Sequence, residues 1–123
     1  MRQLDFKNGV HHVGLNTTVR RGYKWANLNL GETVQLCTNG VPNEKDFVTA
    51  TIVSLSVRTF STIIGQDIEA EHDPDCRTYE GLKEAMIRAY GEDFKTSDPC
   101  VIIDYLVGGS PKFGVSVDDD LWS

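Results

Sequence analysis

Between Phe47 and Phe60 the chain alternates without interruption: Val48, Ala50, Ile52, Ser54, Ser56 and Arg58 take one side, and Thr49, Thr51, Val53, Leu55, Val57 and Thr59 the other. A period-two run this rich in β-branched residues specifies a strand. It is more than twice the usual strand length of about five or six residues. It is therefore expected to bend or bulge, which is how small sheets curl.

The other elements are arranged around that strand. Cys100–Val107, opened by Pro99 and closed by Gly108-Gly109-Ser110-Pro111, is almost continuously apolar and reads as a strand buried on both faces. Thr33–Cys37 reads as a further strand after a Gly31-Glu32 turn, and Asn39-Gly40 as a turn leading into a polar loop. Val10–Leu15 has strand character, Thr17–Gly22 reads as a short helix or turn, and Tyr23–Leu28 alternates as a strand would. Ser61 is placed to cap a short helix carrying Ile63 and Ile64. The principal helix is Tyr79–Tyr90: Tyr79, Leu82, Ala85, Met86 and Ala89 share one face, Thr78 is the N-cap and Gly91 follows the last turn. Nothing repeats as βαβ. The expected fold is α+β, a small mixed sheet or partial barrel with one principal helix and one or two short ones. Residues 1–116 form a single domain on this reading, and residues 117–123 an acidic tail whose Trp122 docks on the body or on a partner.

Charge is divided between the halves. Residues 1–60 carry a net +3 and residues 61–123 a net −9, giving the formal −6 of the whole. An acidic chain argues against salt-driven binding of duplex DNA but permits a local basic face built by the first half. The N-terminus has no apolar signal core and no run is long enough to cross a bilayer, so a cytoplasmic protein is expected. Cys37, Cys76 and Cys100 are too far apart in sequence to suggest a disulfide framework or a cysteine-rich zinc site, and read as reduced thiols.

The residues with chemistry cluster in one segment, Arg20-Arg21-Gly22-Tyr23-Lys24-Trp25. A guanidinium fork matches phosphate oxygens, and Tyr23 and Trp25 are suited to stacking a base. Lys24 is suited to approaching a phosphate or, if desolvated beside a carboxylate, to amide chemistry. On a regular strand Tyr23 and Trp25 share a face that Lys24 leaves, so the three would not line one cleft. His11 and His12 point to opposite faces of a strand, and His72 with Asp73 and Asp75 falls short of a convergent ligand set; no metal and no cofactor is expected. Asp118–Asp120 lacks the spacing of a calcium loop. No phosphate-binding Gly-rich loop and no G-x-S-x-G elbow occurs.

In order along the chain, Gly22-Tyr23-Lys24, the Gly31-Glu32 turn with its apolar strand, and Thr78-Tyr79-Glu80-Gly81-Leu82-Lys83-Glu84 before the last strand resemble the ASCH group of the PUA-like superfamily, over roughly residues 10–107. The resemblance implies a curled PUA-like mixed β-barrel whose cleft accepts RNA, a nucleotide or a modified nucleoside. It also implies, for the small amidohydrolases of that group, removal of an acyl group from an acylated cytidine by a Lys, a Thr and an acid before the helix. The motif Gly and Lys fall on Gly22 and Lys24, the Thr/Glu position on Asn27 and the Arg position on Asn29. The acid falls on Asp75, with Asp73 competing. The first expectation is a binding module using Arg20, Arg21, Gly22, Tyr23, Trp25 and Asn29. The second is a hydrolase of N4-acetylcytidine-like amides using Lys24, Asp75 and Asn27, and the third an acidic protein-interaction domain. Both of the first two require Lys24 and Asp75 at the mouth of one cavity.

Overall fold

A computed structural model describes residues 1–108. Six strands form one sheet: β1 (Gln3–Phe6), β2 (Gly14–Arg21), β3 (Thr33–Thr38), β4 (Val41–Pro42), β5 (Thr49–Thr59) and β6 (Pro99–Val107). Their order is β1-β3-β5-β6-β2, with β4 hairpinned onto β3. The β1–β3 pair is parallel and the others are antiparallel. Two α-helices follow β5: the single-turn α1 (Gly65–Ile68) and the three-turn α2 (Tyr79–Tyr90). No described helix is long and apolar enough to cross a membrane.

The long strand bulges as its length required. Ile52 pairs with Tyr105 and Ser54 with Asp104, which leaves Val53 as the extra residue. One inserted residue reverses which face later side chains occupy. Ala50 and Ile52 face the core before the bulge, and Leu55 faces it afterwards. The resulting curl separates two apolar clusters. Leu4, Leu36, Ile52, Val101, Ile103 and Tyr105 belong to one. Phe60, Ile68, Leu82, Met86, Cys100 and Ile102 pack beneath α2 in the other. β6 feeds both clusters from alternate positions, which accounts for its unbroken hydrophobicity.

The sheet is not closed. β1 and β2 stand at opposite ends of the ladder order, so the expected barrel is open in its backbone hydrogen bonding. The curl nevertheless brings the two ends together through side chains. Phe6 of β1 lies edge-on to His72, ring centroids 4.7 Å apart, and His72 belongs to a segment that runs along the outer edge of β2. That segment makes one parallel bridge, Thr17 to Glu71; the Thr17 amide donates to the Ala70 carbonyl and the His72 amide to the Thr17 carbonyl.

Several local expectations need correcting. Thr17–Gly22 is not a helix or turn: Gly14–Arg21 is an eight-residue strand, because its β-branched Thr17, Thr18 and Val19 pair along the whole of β6. The segment from Val10 to Val13 lies outside any strand. Tyr23–Leu28 is not a strand. Gly22, at φ +87°, turns the chain out of β2, and Lys24–Asn27 winds into a 3-10 helix. Ser61 caps nothing; its amide donates to the Thr96 carbonyl, and the Asp67 carboxylate accepts from the Ile64 amide to open α1. β1 carries no strong strand pattern in sequence but buries Leu4 and Phe6. α2 keeps its expected limits, with the Thr78 hydroxyl accepting from the Gly81 amide. The cysteines are free and buried, and burial pushes the Cys76 and Cys100 thiols up to about 12 and about 11. The tail from Asp118 to Trp122 lies outside the described residues.

Candidate functional site

A cleft of about 410 Å³ opens along the uncovered part of the β2 edge. α2 forms one wall through Met86, Ala89 and Tyr90. β1 and the 3-10 helix form the other through Asp5, Phe6, Lys24 and Trp25, and Glu71 and His72 close one end. The 3-10 geometry decides what faces it. Three residues per turn put Lys24 and Trp25 together on the cleft, while Tyr23 projects away and is 64% exposed.

Arg20 is the most constrained charge there. Its guanidinium carbon lies 4.6 Å from the centroid of Phe6 and 5.9 Å from that of Trp25, so aromatic rings hold it in place. Its Nε donates to the Thr18 hydroxyl at 3.1 Å. Among the described residues no carboxylate lies within salt-bridge distance of it, whereas Arg2, Arg21 and Arg58 are paired with Glu32, Asp98 and Asp67. Burial lowers the Arg20 pKa, but a guanidinium remains charged at neutral pH. The cleft therefore contains a fixed, half-buried cation with free donors.

Glu71 and His72 complete the electrostatics. Glu71 is only 2% exposed, and desolvation raises its pKa to about 8 against weaker opposition from the Asp73 amide, Arg20 and Arg77. The His72 Nδ1 donates to the Val10 carbonyl at 2.7 Å, which leaves Nε2 as the lone-pair nitrogen of a neutral ring, 3.3 Å from Glu71 Oε1. Glu71 Oε1 also accepts from the Asp73 amide at 3.2 Å, and burial lowers the His72 pKa. The pair is thus neutral at pH 7. The formal charges left on the cleft wall are Lys7, Arg20 and Lys24 against Asp5, a positive balance inside an acidic chain.

The other sequence candidates lie elsewhere. Arg21 is committed to Asp98 (Nε to Oδ2, 2.9 Å) and to the Asp93 carbonyl. The Asn27 side chain accepts from Arg2, and Asn29 binds Glu32 through its backbone amide. Gly22 is the turn residue itself. Asp75 is exposed in a 3-10 turn and does not line the cleft; its amide donates to Asp73 Oδ1, and Asp73 also accepts from Asn8. The expected meeting of Lys24 with Asp75 is therefore not made, and the acids that share the cleft with Lys24 are Asp5 and the buried Glu71. Glu71 and Phe6 had no local signal as site residues, and His72 was weighed only as a metal ligand, because only the β2-edge bridge and the approach of β1 bring them in. The histidines assemble partly: His11 stacks on His72 at 5.3 Å and bonds the Tyr105 hydroxyl through Nδ1 at 2.9 Å. Burial drops the His11 pKa to about 4. Among the described residues no group of three or more His, Cys, Asp or Glu converges as a metal site.

No protein-family profile matches this sequence, and no curated protein aligns with it significantly. Among solved structures, the crystal structure of an ASCH domain from Lactobacillus crispatus JV V101 superposes with a TM-score of 0.58 at 12% identity, covering 75% of this chain. The chain spans 63% of the length of that domain. On that superposition, this chain has an ASCH-like fold.

Proposed function

We propose that the cleft binds a nucleotide or modified nucleoside, free or within single-stranded RNA. The observation that carries this reading is Arg20, a guanidinium held between two aromatic rings with no carboxylate partner among the described residues, facing a cavity of small-ligand size. Its fork suits a phosphate or a base carbonyl, Lys24 adds a mobile cation at the rim, and Trp25 offers a stacking surface. The neutral Glu71–His72 pair gives the closed end hydrogen-bonding capacity without repelling an anion. Calorimetric titration of the four ribonucleoside 5′-monophosphates and N4-acetylcytidine tests it. Arg20→Met keeps the apolar stem but removes the fork, and is expected to weaken binding about 30-fold, a loss of about 2 kcal/mol. Unchanged affinity in that variant, or no binding of any probe at low salt, would overturn the reading.

A second reading is favoured by one specific observation: Lys24 and Glu71, an amine and a carboxyl whose pKa is raised towards neutrality, line the same cleft. It is hydrolysis of the amide of an acylated nucleoside, with Glu71 as proton donor and Lys24 beside the attacked carbonyl. Incubation with N4-acetylcytidine should yield cytidine by chromatography, with Lys24→Ala and Glu71→Gln each at least 100-fold slower. Full retention of the acetyl group by the wild type would leave binding as the function.

A further inference from the structure

The backbone register of β2 assigns the cleft a base-reading element. In the β2–β6 ladder, alternate residues of β2 turn their N–H and C=O away from β6. Thr17 is one of these, since both groups bond to the 70–72 segment. Arg21 is another: its amide points to the Tyr90 hydroxyl at 3.4 Å, whereas the next amide, Gly22, turns back to the Pro99 carbonyl. Val19 lies midway and has the same orientation, and β2 is the terminal strand of the sheet. Among the described residues its outward N–H and C=O have no partner, and Val19 lines the cleft.

The open stretch from Thr17 to Arg21 is about 13 Å long and closed at both ends, so it offers one donor beside one acceptor rather than a ladder. An added peptide strand would need several such pairs. A flat ring with a donor next to an acceptor uses the single pair fully, and the Watson–Crick edge of a nucleobase has that arrangement. Arg20 and Trp25, next along the cleft, are placed for the rest of such a ligand. Resting on the nucleotide reading above, we infer that Val19 hydrogen-bonds the Watson–Crick edge of the bound base through its backbone, so that the site selects bases whose pairing edge is unblocked.

Of the backbone groups, proline at position 19 removes only the outward N–H; it also replaces the buried Val19 side chain, a change that Val19→Ala reports separately. No bond to β6 is lost, and the requirement for extended backbone at Thr18 is already met within the strand. The test is calorimetry on the full chain with CMP, UMP, AMP and GMP and their edge-methylated forms: N4,N4-dimethyl-CMP, N3-methyl-UMP, N6,N6-dimethyl-AMP and N1-methyl-GMP. The best-bound nucleotide should lose at least tenfold in affinity on methylation and at least tenfold in Val19→Pro, with Val19→Ala within threefold of wild type. The Val19 amide proton of wild type should shift downfield on saturation, a measurement independent of how the proline variant folds. Equal binding of methylated and unmethylated nucleotides, with an unmoved Val19 amide, overturns the inference while leaving the nucleotide site intact. No binding of any of the four overturns the nucleotide reading first, and this inference with it.

Discussion

Folding stability is expected to peak near pH 6.5 and to fall by roughly 2 kcal/mol by pH 8.5, and Glu71→Gln should abolish the fall. Glu71 is a carboxyl whose folded pKa, about 8, stands far above its ordinary 4.5, while His72 next to it is held below its ordinary 6.5. They lie 3.3 Å apart, and their protons are counted together. Unfolded, the pair carries one proton between pH 4.5 and 6.5 and none above. Folded, it keeps one proton up to about 8. Between 6.5 and 8 the native state therefore binds more protons than the unfolded chain, and stability declines as pH rises. A window of about 1.5 units at 1.36 kcal/mol per unit gives the roughly 2 kcal/mol. Below 6.5 the sign reverses. His11, with its folded pKa near 4, must stay neutral in the native state, so stability rises with pH between 4 and 6.5. The charged groups around Glu71 are Arg20 on β2 and Arg77 and Asp73 beside it. The buried thiols contribute only above pH 9, their ordinary pKa. Urea denaturation from pH 5 to 9 measures the profile. A wild-type curve flat from 6.5 to 8.5, or one that Glu71→Gln leaves unchanged, would mean that the cleft holds an ionised glutamate.

The parts of this molecule legible in sequence are those whose signal is local. β5 announced itself by period-two alternation and by a length that demanded the bulge at Val53. α2 did so by its apolar stripe and its Thr78 cap, and β6 by continuous hydrophobicity. The failures fall where tertiary pairing overrides weak propensity. β2 looked like a turn because Asn16, Arg20 and Arg21 interrupt its alternation, yet β6 pairs with every residue of it. Mistaking Tyr23–Leu28 for a strand then carried an error into the site, since an extended segment would have sent Lys24 and Trp25 to opposite faces, whereas the 3-10 turn brings both to the cleft. The acid was misplaced for a related reason. Glu71, Asp73 and Asp75 are equivalent in composition, and only the bridge to Thr17 buries the first and leaves the last in solvent. Arg20, in contrast, was a candidate from its chemistry alone, and its aromatic surroundings come from Phe6 on a strand that had no clear pattern.

The same segment makes Gly81→Ala the most damaging single methyl expected outside the core. Alanine is ordinarily better than glycine within a helix by about 1 kcal/mol, so helix propensity alone predicts a gain. At Gly81, however, an added Cβ would overlap the backbone carbonyl oxygen of Asp75 and lie 3.0 Å from the Thr78 hydroxyl. Neither can yield cheaply. The Asp75 peptide is fixed in a 3-10 turn by the Asp73 side chain and by the Cys76 amide bonding the Asp73 carbonyl. The Thr78 hydroxyl is the cap that accepts from the Gly81 amide itself. The methyl must therefore lift the start of α2 off the 73–76 turn, which carries the buried Cys76 and continues into His72 and Glu71. Overpacking against backbone outweighs the propensity gain, and a net loss of about 2–3 kcal/mol is expected by urea denaturation, with Glu84→Ala on the exposed face of α2 within about 0.5 kcal/mol of wild type. Because the displaced turn adjoins the end of the cleft, amide shifts of Glu71 and His72 should move in Gly81→Ala and stay put in Glu84→Ala. Wild-type stability in Gly81→Ala would show that the helix and the turn are not in contact at this point, and that something other than this packing holds Glu71 in the cleft.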